Sequence, residues 1–169
     1  MSKESKLSKL NAQIKHCKIL ISACLLGDRV RYDAKINKLE NDLIDKWFSQ
    51  GLLLPVCPEV CGGLPTPRPA AEMQRDGSVK TRAGKDISGA FKRGALKTLQ
   101  FALENNIKVA ILTEKSPSCG SSKIYNGQFE GHLIEGQGLT TQLLRANGIA
   151  VFNQFEVEKA QAFLTNSSR

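Results

Sequence analysis

Short apolar runs alternate with amphipathic stretches along the chain. Apolar runs bounded by turn residues predict buried strands, which are CKILISACL (17–25), LLLPVC (52–57), KVAILT (108–113) and IAVF (149–152). Apolar residues at helical spacing predict helices at residues 37–51, 86–106, 139–148 and 156–164. Strands that alternate with helices are typical of an α/β fold. We therefore expect a single Rossmann-like three-layer domain with a mainly parallel sheet of about four strands.

Proline, glycine and polar residues indicate where these elements end. Pro55, inside the second apolar run, favours an edge strand or an early strand end. Gly51 is suited to close the first helix, and Asp86 to cap the start of the second. Residues 58–85 hold four of the six prolines and predict a long loop, of a kind that is usually functional or disordered. The glycine-rich residues 126–138 allow a small hairpin.

Composition narrows the class of protein. A length of 169 residues predicts one domain, which we place at residues 16–169 after an N-terminal extension of residues 1–15. The N-terminus is charged and lacks the apolar core of a signal peptide, and no window is apolar enough to span a membrane. We therefore expect a cytoplasmic protein with no membrane partner. In that compartment, five cysteines favour metal or thiol chemistry over a disulfide scaffold.

The net charge of +8 points only weakly to an anionic partner. The chain has no dense basic run with interleaved aromatic residues, which argues against a polymeric nucleic acid partner. Two interpretations of the charge remain, a solvated basic surface and a site for a small phosphate-bearing ligand.

Three cysteines follow predicted strands at their carboxyl ends. Cys24 and Cys57 end the first two strands, and Cys119 lies six residues past the third, in the stretch KSPSCGSSKIYNG (115–127). Ligands of open α/β sheets bind outside the carboxyl ends of the strands, so we expect the three cysteines to converge there. Three thiolates without a histidine favour zinc or an iron–sulfur cluster. The chain lacks the CxxC pair of zinc ribbons and bacterial ferredoxins.

The other cysteines and the two histidines carry weaker signals. Cys17 has no motif around it, so we expect a small buried hydrophobic side chain. Cys61 follows Cys57 by four residues and lies within reach of the same site. His16 and His132 lack zinc spacing to a cysteine, and we expect both at the surface.

Several segments resemble the bacterial thiouracil desulfurase family, which was long labelled a domain of unknown function. The resemblance is carried by ISACLLGDRVRYD (21–33), LLPVCPEVCGGLPTPRPAAE (53–72), SPSCGSSKIYNGQFEG (116–131) and GQGLTTQLLRANGIAVF (136–152). It runs from about residue 18 to residue 155.

The resemblance implies a [4Fe–4S] cluster bound by three cysteines, with one iron free of any protein ligand. In this sequence the matching residues are Cys24, Cys57 and Cys119, and Cys61 is a spare thiol. The implied reaction is non-redox desulfuration of thiouracil or of thiouridine-type nucleotides, with release of sulfide. An open iron is a Lewis acid that prefers sulfur, so it suits a thiocarbonyl substrate whose sulfur is replaced by the oxygen atom of a water molecule.

Proton transfer in such a reaction needs a carboxylate or a hydroxyl near the metal. Glu59, two residues after Cys57, is the candidate base, and its alternative role is a salt bridge to Arg68 or Arg31. Ser116 and Ser118 beside Cys119 are candidates for orienting the substrate or relaying a proton. The alternative for both serines is loop capping.

Basic and glycine residues in the same loops suggest further roles. Four cations are candidates for binding a ribose phosphate of the substrate: Arg29, Arg31, Lys115 and Lys123. Three glycines are expected to supply N–H donors to the cluster sulfurs: Gly62, Gly63 and Gly120. The sequence leaves open whether the small-molecule substrate is a free thiolated base, a nucleoside or a monophosphate. Two other protein classes also remain, a structural or redox metal protein (zinc or iron–sulfur) and a metal-free nucleotide-binding module.

Overall fold

The computed structural model describes residues 17–167 and contains a four-stranded parallel sheet. Its strands lie in the order β2-β1-β5-β8, with the bounds β1 (Ile19–Ser22), β2 (Leu53–Val56), β5 (Val109–Leu112) and β8 (Ala150–Asn153). The predicted fold class and the four predicted strands are therefore confirmed. Pro55 lies in the edge strand β2, where a missing N–H costs no sheet hydrogen bond on the outer side. The predicted extension (1–15) and His16 lie outside the described residues.

Helices cover both faces of this sheet and complete the three layers. Their bounds are α1 (Asp42–Ser49), α2 (Pro58–Cys61), α3 (Ser88–Glu104), α4 (Leu139–Ala146) and α5 (Val157–Asn166). One core contains side chains of α1 and α5 packed on the face formed by Ile19, Ile21 and Ile111. The second core contains side chains of α3 and α4 packed on Leu20 and Ala110. Strands β1 and β5 are buried on both faces, which is why they read as continuous apolar runs.

The first two long helices begin later than their apolar spacing predicts. Asn41 caps α1, with its side-chain oxygen accepting hydrogen bonds from the N–H groups of Leu43 and Ile44. Leu39 matches the helical spacing but precedes the helix, and its N–H donates to the carbonyl of Leu25. Asp86 accepts a hydrogen bond from the N–H of Ser88, the first residue of α3. Asp86 therefore stabilises the start of that helix from two residues upstream, but the N-cap residue is Ile87, so the prediction of Asp86 as the cap is wrong by one residue.

The prediction of a long loop at residues 58–85 is wrong in part, because this segment contains regular secondary structure. It includes the single-turn helix α2 and an antiparallel hairpin of β3 (Ala71–Met73) and β4 (Val79–Thr81). Strands of three residues are too short to show a period in the sequence. The predicted small hairpin is present, as β6 (Lys123–Tyr125) and β7 (Leu133–Glu135). The two hairpins contact each other through β3 and β6.

Two glycines allow α2 to lie directly on α3. A Cβ atom at Gly94 would stand 1.9 Å from the carbonyl oxygen of Pro58, and one at Gly62 would stand 2.1 Å from that of Ala90. Real Cβ atoms do not approach backbone atoms so closely, so only glycine fits at these two positions. The contact places the turn that follows Cys57 against the longest helix, which gives this part of the site a rigid support.

Candidate active site

A cavity of about 530 Å³ opens at the carboxyl ends of the strands. Cys24, Cys57 and Cys119 all line it, as the positions of the predicted strands led us to expect. Each follows a different strand of the central sheet, so the parallel arrangement brings together three residues that are far apart in sequence.

Burial keeps the three thiols neutral in the absence of a metal. Burial raises the pKa of Cys24, and the neighbouring thiol of Cys57 raises it further. Burial also raises the pKa of Cys119 well above its usual value, and Cys57, Glu59 and Cys24 add to the effect. Since each of the other two cysteines affects Cys119 electrostatically, the three sulfur atoms share one environment. A metal that binds them must displace their protons.

Cys57 lies at the turn after β2, and its thiol donates a weak hydrogen bond to the carbonyl of Val30 at 3.8 Å. Cys57 is the N-cap of α2, and Pro58 follows as the first helical residue, where its missing N–H leaves no donor unpaired. Burial raises the pKa of Cys57, while the nearby backbone N–H groups of Val60 and Glu59 act in the opposite direction, because they favour negative charge on the sulfur.

The three glycines expected to serve as donors use their N–H groups elsewhere. The N–H of Gly62 donates to the carbonyl of Pro58, and the N–H of Gly63 donates to that of Val60. Gly120 donates to the carbonyl of Ser116. The prediction of glycine donors to the sulfurs is therefore wrong for this backbone, because each N–H closes its own turn.

Glu59 lines the cavity and forms the predicted alternative contact with Arg68. The Arg68 Nε and Nη2 atoms lie 2.8 and 2.6 Å from Glu59 Oε2. The two side chains are only 15% (Glu59) and 5% (Arg68) exposed, so water screens this ion pair little. Arg68 also donates to the carbonyls of Pro65 and Val30, which fixes the guanidinium independently of Glu59.

Ser116 connects Glu59 with the turn of residues 116–120, called the Cys119 turn. Its hydroxyl donates to Glu59 Oε1 at 3.4 Å and accepts from the N–H groups of Ser118 and Cys119 at 3.0 and 3.1 Å. Ser116 lines the cavity, so its hydroxyl lies between the carboxylate and the backbone of a candidate metal ligand. The hydroxyl thus caps the turn and also contacts the candidate base.

Ser118 is placed differently from Ser116. It is 1% exposed, does not line the cavity, and its hydroxyl lies 2.9 Å from that of Thr140 in α4. Its carbonyl accepts from the N–H of Thr140 as well. This placement corrects the predicted catalytic role of Ser118, because the side chain is turned into the core and links the Cys119 turn to α4.

The four candidate cations for a phosphate divide into two pairs. Arg31 and Lys115 line the cavity, whereas Arg29 and Lys123 do not. The Arg31 guanidinium bonds to the Asp33 carboxylate at 3.2 Å and lies 6.0 Å from the ring centre of Tyr32. Lys123 instead lies 3.9 Å from Glu135 across the β6–β7 hairpin. The phosphate role predicted for Arg29 and Lys123 therefore lacks support in this geometry.

Glu114 organises the segment around Cys119, a role that the sequence did not suggest. Its carboxylate accepts hydrogen bonds from the backbone N–H and the hydroxyl of Ser121, from those of Ser122, and from the Asn153 amide. Burial acts to raise the pKa of Glu114, but the hydrogen bonds from Ser122, Ser121 and Lys123 outweigh it and hold the pKa below its usual value.

Three further side chains that are able to bind metals, Cys61, Cys17 and His132, lie outside the cavity. Cys61 is half-buried and packs against the core on the α3–α4 face of the sheet. Cys17 is also half-buried and packs against the opposite core, in line with the predicted hydrophobic role. His132 is exposed on the β6–β7 hairpin, as predicted.

The match to a known protein family covers the whole site. A sequence model of the 2-thiouracil desulfurase family matches residues 19–156. The chain belongs to the 2-thiouracil desulfurase family. The family match includes all three cavity cysteines together with Glu59 and Ser116.

Two relatives of this desulfurase family member are also similar over most of their length. The uncharacterized protein YbbK of Bacillus subtilis (strain 168) is 37% identical over 148 residues, which are 82% of this chain and 97% of YbbK. The solved structure of the [4Fe-4S]-dependent thiouracil desulfidase TudS is 46% identical, with a TM-score of 0.86. That likeness covers 88% of this chain and 98% of TudS.

Part of the cavity is lined by residues that the sequence analysis did not predict to lie there. Residues of the β3–β4 hairpin and its flanks reach the cavity, and four aromatic side chains surround it: Tyr32, Tyr125, Phe129 and Phe155. The aromatic residues are scattered through the chain without a common spacing, so no sequence signal grouped them. Aromatic rings offer flat apolar surfaces to a ring-shaped ligand.

Among residues 17–167, no helix combines the length and the apolar character that crossing a bilayer requires.

Proposed function

We propose that this protein is a [4Fe–4S]-dependent desulfurase that replaces the thiocarbonyl sulfur of a thiolated pyrimidine with oxygen and releases sulfide. The observation that carries the proposal is the convergence of Cys24, Cys57 and Cys119 on one cavity. Family membership and the likeness to TudS support the same reaction.

The donor set fits an iron–sulfur cluster. Three thiols line the cavity, and of the residues that the structure describes no histidine does. Among the described residues, no three Cys, His, Asp or Glu side chains gather around the position of a single metal ion. We propose Cys24, Cys57 and Cys119 as the cluster ligands, because their three thiols line one cavity.

A cluster bound by three cysteines keeps one iron free of a protein ligand, and such an iron supplies a Lewis acid with a preference for sulfur. The chain's own groups provide the proton transfer. Glu59 is the proposed base that takes a proton from the attacking water, with Oε1 as the atom less engaged by Arg68. Arg68 holds the carboxylate in position through the ion pair, and Ser116 orients it from the other side.

The size of the cavity leaves room for a substrate larger than a free base. A volume of about 530 Å³ lies within the range of small-molecule sites. Arg31 and Lys115 on its wall are the proposed partners of a 5′-phosphate, because both carry a positive charge and both reach the cavity. Thiouridine monophosphate is therefore the proposed preferred substrate, ahead of free thiouracil.

The decisive experiment is anaerobic reconstitution of the protein with iron and sulfide, followed by incubation with 2-thiouracil, 4-thiouridine and 4-thiouridine monophosphate. We expect sulfide and the oxygenated pyrimidine in equal amounts without an added reductant, since the reaction is a substitution. Cys57→Ala is expected to lose the cluster and the activity. Cys61→Ala is the matched control on the same turn, because its thiol lies outside the cavity.

Two outcomes would contradict the proposal. Retention of the full iron and sulfide content by Cys57→Ala would refute the ligand assignment. A fully loaded protein that releases no sulfide from any of the three substrates would favour a structural or redox metal protein instead.

A further inference from the structure

The loop that joins β6 to β7 is fixed by one buried carboxylate from the other hairpin. Glu72 in β3 is 7% exposed, and its Oε2 atom accepts hydrogen bonds from the N–H groups of Gly127 and Phe129 at 2.9 and 3.0 Å. Gln74 adds a bond from its Nε2 atom to the carbonyl of Gly127 at 3.2 Å. A carboxylate that accepts two backbone N–H groups is a strong, directional anchor, so the loop has one defined position.

Phe129 is held in a backbone conformation that a bulky residue rarely adopts. Its φ angle is +58°, in the left-handed region, and that of the neighbouring Gly127 is +86°. A non-glycine residue is strained in this region and persists only where the surroundings hold it, and such residues concentrate at ligand sites. Here the Glu72 hydrogen bond to the Phe129 N–H imposes the conformation.

A second contact sets the orientation of the Phe129 ring. The Arg82 guanidinium lies 5.4 Å from the ring centre, and its Nη2 atom donates to the Phe129 carbonyl at 3.2 Å. This cation–π contact occupies part of the ring. Glu72, Arg82 and Phe129 all line the cavity that holds the three cysteines. The two hairpins thus present an aromatic ring at the cavity wall from a position that is fixed at both the backbone and the side chain.

We propose that the ring of Phe129 stacks on the pyrimidine of the substrate and that Glu72 is a positioning residue, which acts by holding Phe129 in place. The proposal rests on the proposed function, because it assigns the aromatic recognition of the same thiolated base. Stacking is tolerant of substituents on the ring, so it serves oxygen- and sulfur-containing pyrimidines alike.

The test measures equilibrium binding of uracil to the cluster-loaded protein by titration calorimetry. Uracil lacks sulfur, so its binding reports the cavity wall without requiring desulfuration. We expect Phe129→Ala to weaken binding about 5- to 150-fold, the range found for the loss of base–aromatic stacking. Phe129→Tyr keeps the stacking face and is expected to bind within about 3-fold of the wild type.

Variants of Glu72 test whether this residue acts by positioning Phe129 or by a general effect on the structure of the protein. Glu72→Leu removes the acceptor and is expected to weaken uracil binding, whereas Glu72→Gln keeps an amide oxygen and restores most of it. The double variant Glu72→Leu with Phe129→Ala is expected to bind no more weakly than Phe129→Ala alone, because Glu72 acts through that ring. Glu130→Leu is the control, since this exposed carboxylate of the same loop accepts a hydrogen bond from the Asn126 side chain and does not line the cavity.

The outcomes distinguish this proposal from the desulfurase assignment. Unchanged uracil binding in Phe129→Ala overturns the stacking role, even if sulfide release is normal. Weakened binding in that variant supports it, even if the wild type releases no sulfide. Additive losses in the double variant would show that Glu72 does not act through Phe129. If Glu72→Leu does not fold, the Phe129 variants and Glu72→Gln decide the proposal.

Discussion

Replacing Glu59 with glutamine removes the proposed base while keeping the size of the side chain. Glutamine can still accept a hydrogen bond from the charged Arg68 guanidinium through its amide oxygen, so the contact at 2.8 Å is expected to survive without the ion pair. What glutamine cannot do is take a proton from water. The substitution therefore separates the chemical role of the carboxylate from its structural one.

The magnitudes of these two effects differ. Loss of a general base typically lowers the rate about 10²–10⁴-fold, which corresponds to about 3–5 kcal/mol of barrier. Exchanging the charged acceptor for a neutral amide costs about 1–2 kcal/mol of stability, because the charged Arg68 guanidinium keeps the carbonyls of Pro65 and Val30 as acceptors. In a protein of 169 residues that cost lowers the Tm by about 2–8 °C.

The assay combines three measurements on the same anaerobic preparation. Iron and acid-labile sulfide report cluster content, thermal melting reports stability, and sulfide release from the thiolated pyrimidine reports turnover. We expect Glu59→Gln to retain the cluster and most of the stability while turnover falls at least 100-fold, the lower limit for loss of a base. Because the substrate sulfur needs no base to bind, the substrate is still expected to change the visible absorption of the cluster.

Two results would refute this reasoning in different ways. Sulfide release close to that of the wild type would show that another group, such as the Ser116 hydroxyl or a water molecule, handles the proton. Loss of the cluster in Glu59→Gln would show that the carboxylate mainly supports the turn after Cys57. In that case the salt bridge with Arg68 would be its principal role.

Three other expectations follow from contacts in and around the site. Arg68→Leu leaves the largely buried Glu59 carboxylate without its counter-charge, so we expect the free energy of unfolding, measured by chemical denaturation, to fall by about 3–5 kcal/mol. A small loss, or no recovery of stability when Glu59→Leu is added, would contradict a stabilising buried ion pair. Gly94→Ala is expected to destabilise the protein by more than about 1–3 kcal/mol, because the new Cβ atom would lie 1.9 Å from the Pro58 carbonyl oxygen. Gly89→Ala in the same helix is the control, since its Cβ atom would meet only the end of the Arg93 side chain at 3.4 Å. Equal Tm values for the two variants would contradict this packing. The pKa of Glu114 is lowered in the folded state, so its stabilising effect is complete above the unfolded value near 4.5 and is lost as pH falls through the lower folded value. Glu114→Gln should therefore show a flatter decline of Tm between pH 5 and 3 than the wild type, and parallel declines would refute the assignment.

The sequence was sufficient for the central sheet. Strands β1 and β5 are buried on both faces, so their residues form continuous apolar runs that stand out from their surroundings. Once four parallel strands alternate with helices, their carboxyl ends share one edge, and the convergence of Cys24, Cys57 and Cys119 follows from topology alone. This is why three residues separated by long stretches of chain were predicted to meet.

Features that depend on contacts between distant segments could not be predicted from the sequence. Ser116 and Ser118 stand in the same short motif, yet only the packing of the Cys119 turn on α4 decides that Ser116 faces the cavity and Ser118 faces Thr140. The β3–β4 hairpin was missed because strands of three residues carry no readable period.

The sequence by itself therefore determined the α/β sheet and the side of it on which the cysteines lie, because burial patterns and strand direction are local properties. Tertiary structure alone decided which polar and aromatic groups complete the cavity. Glu72 and Phe129 are 57 residues apart and meet only because two hairpins pack together. A contact of this kind is set by the relative placement of whole elements, and residue spacing along the chain carries no record of it.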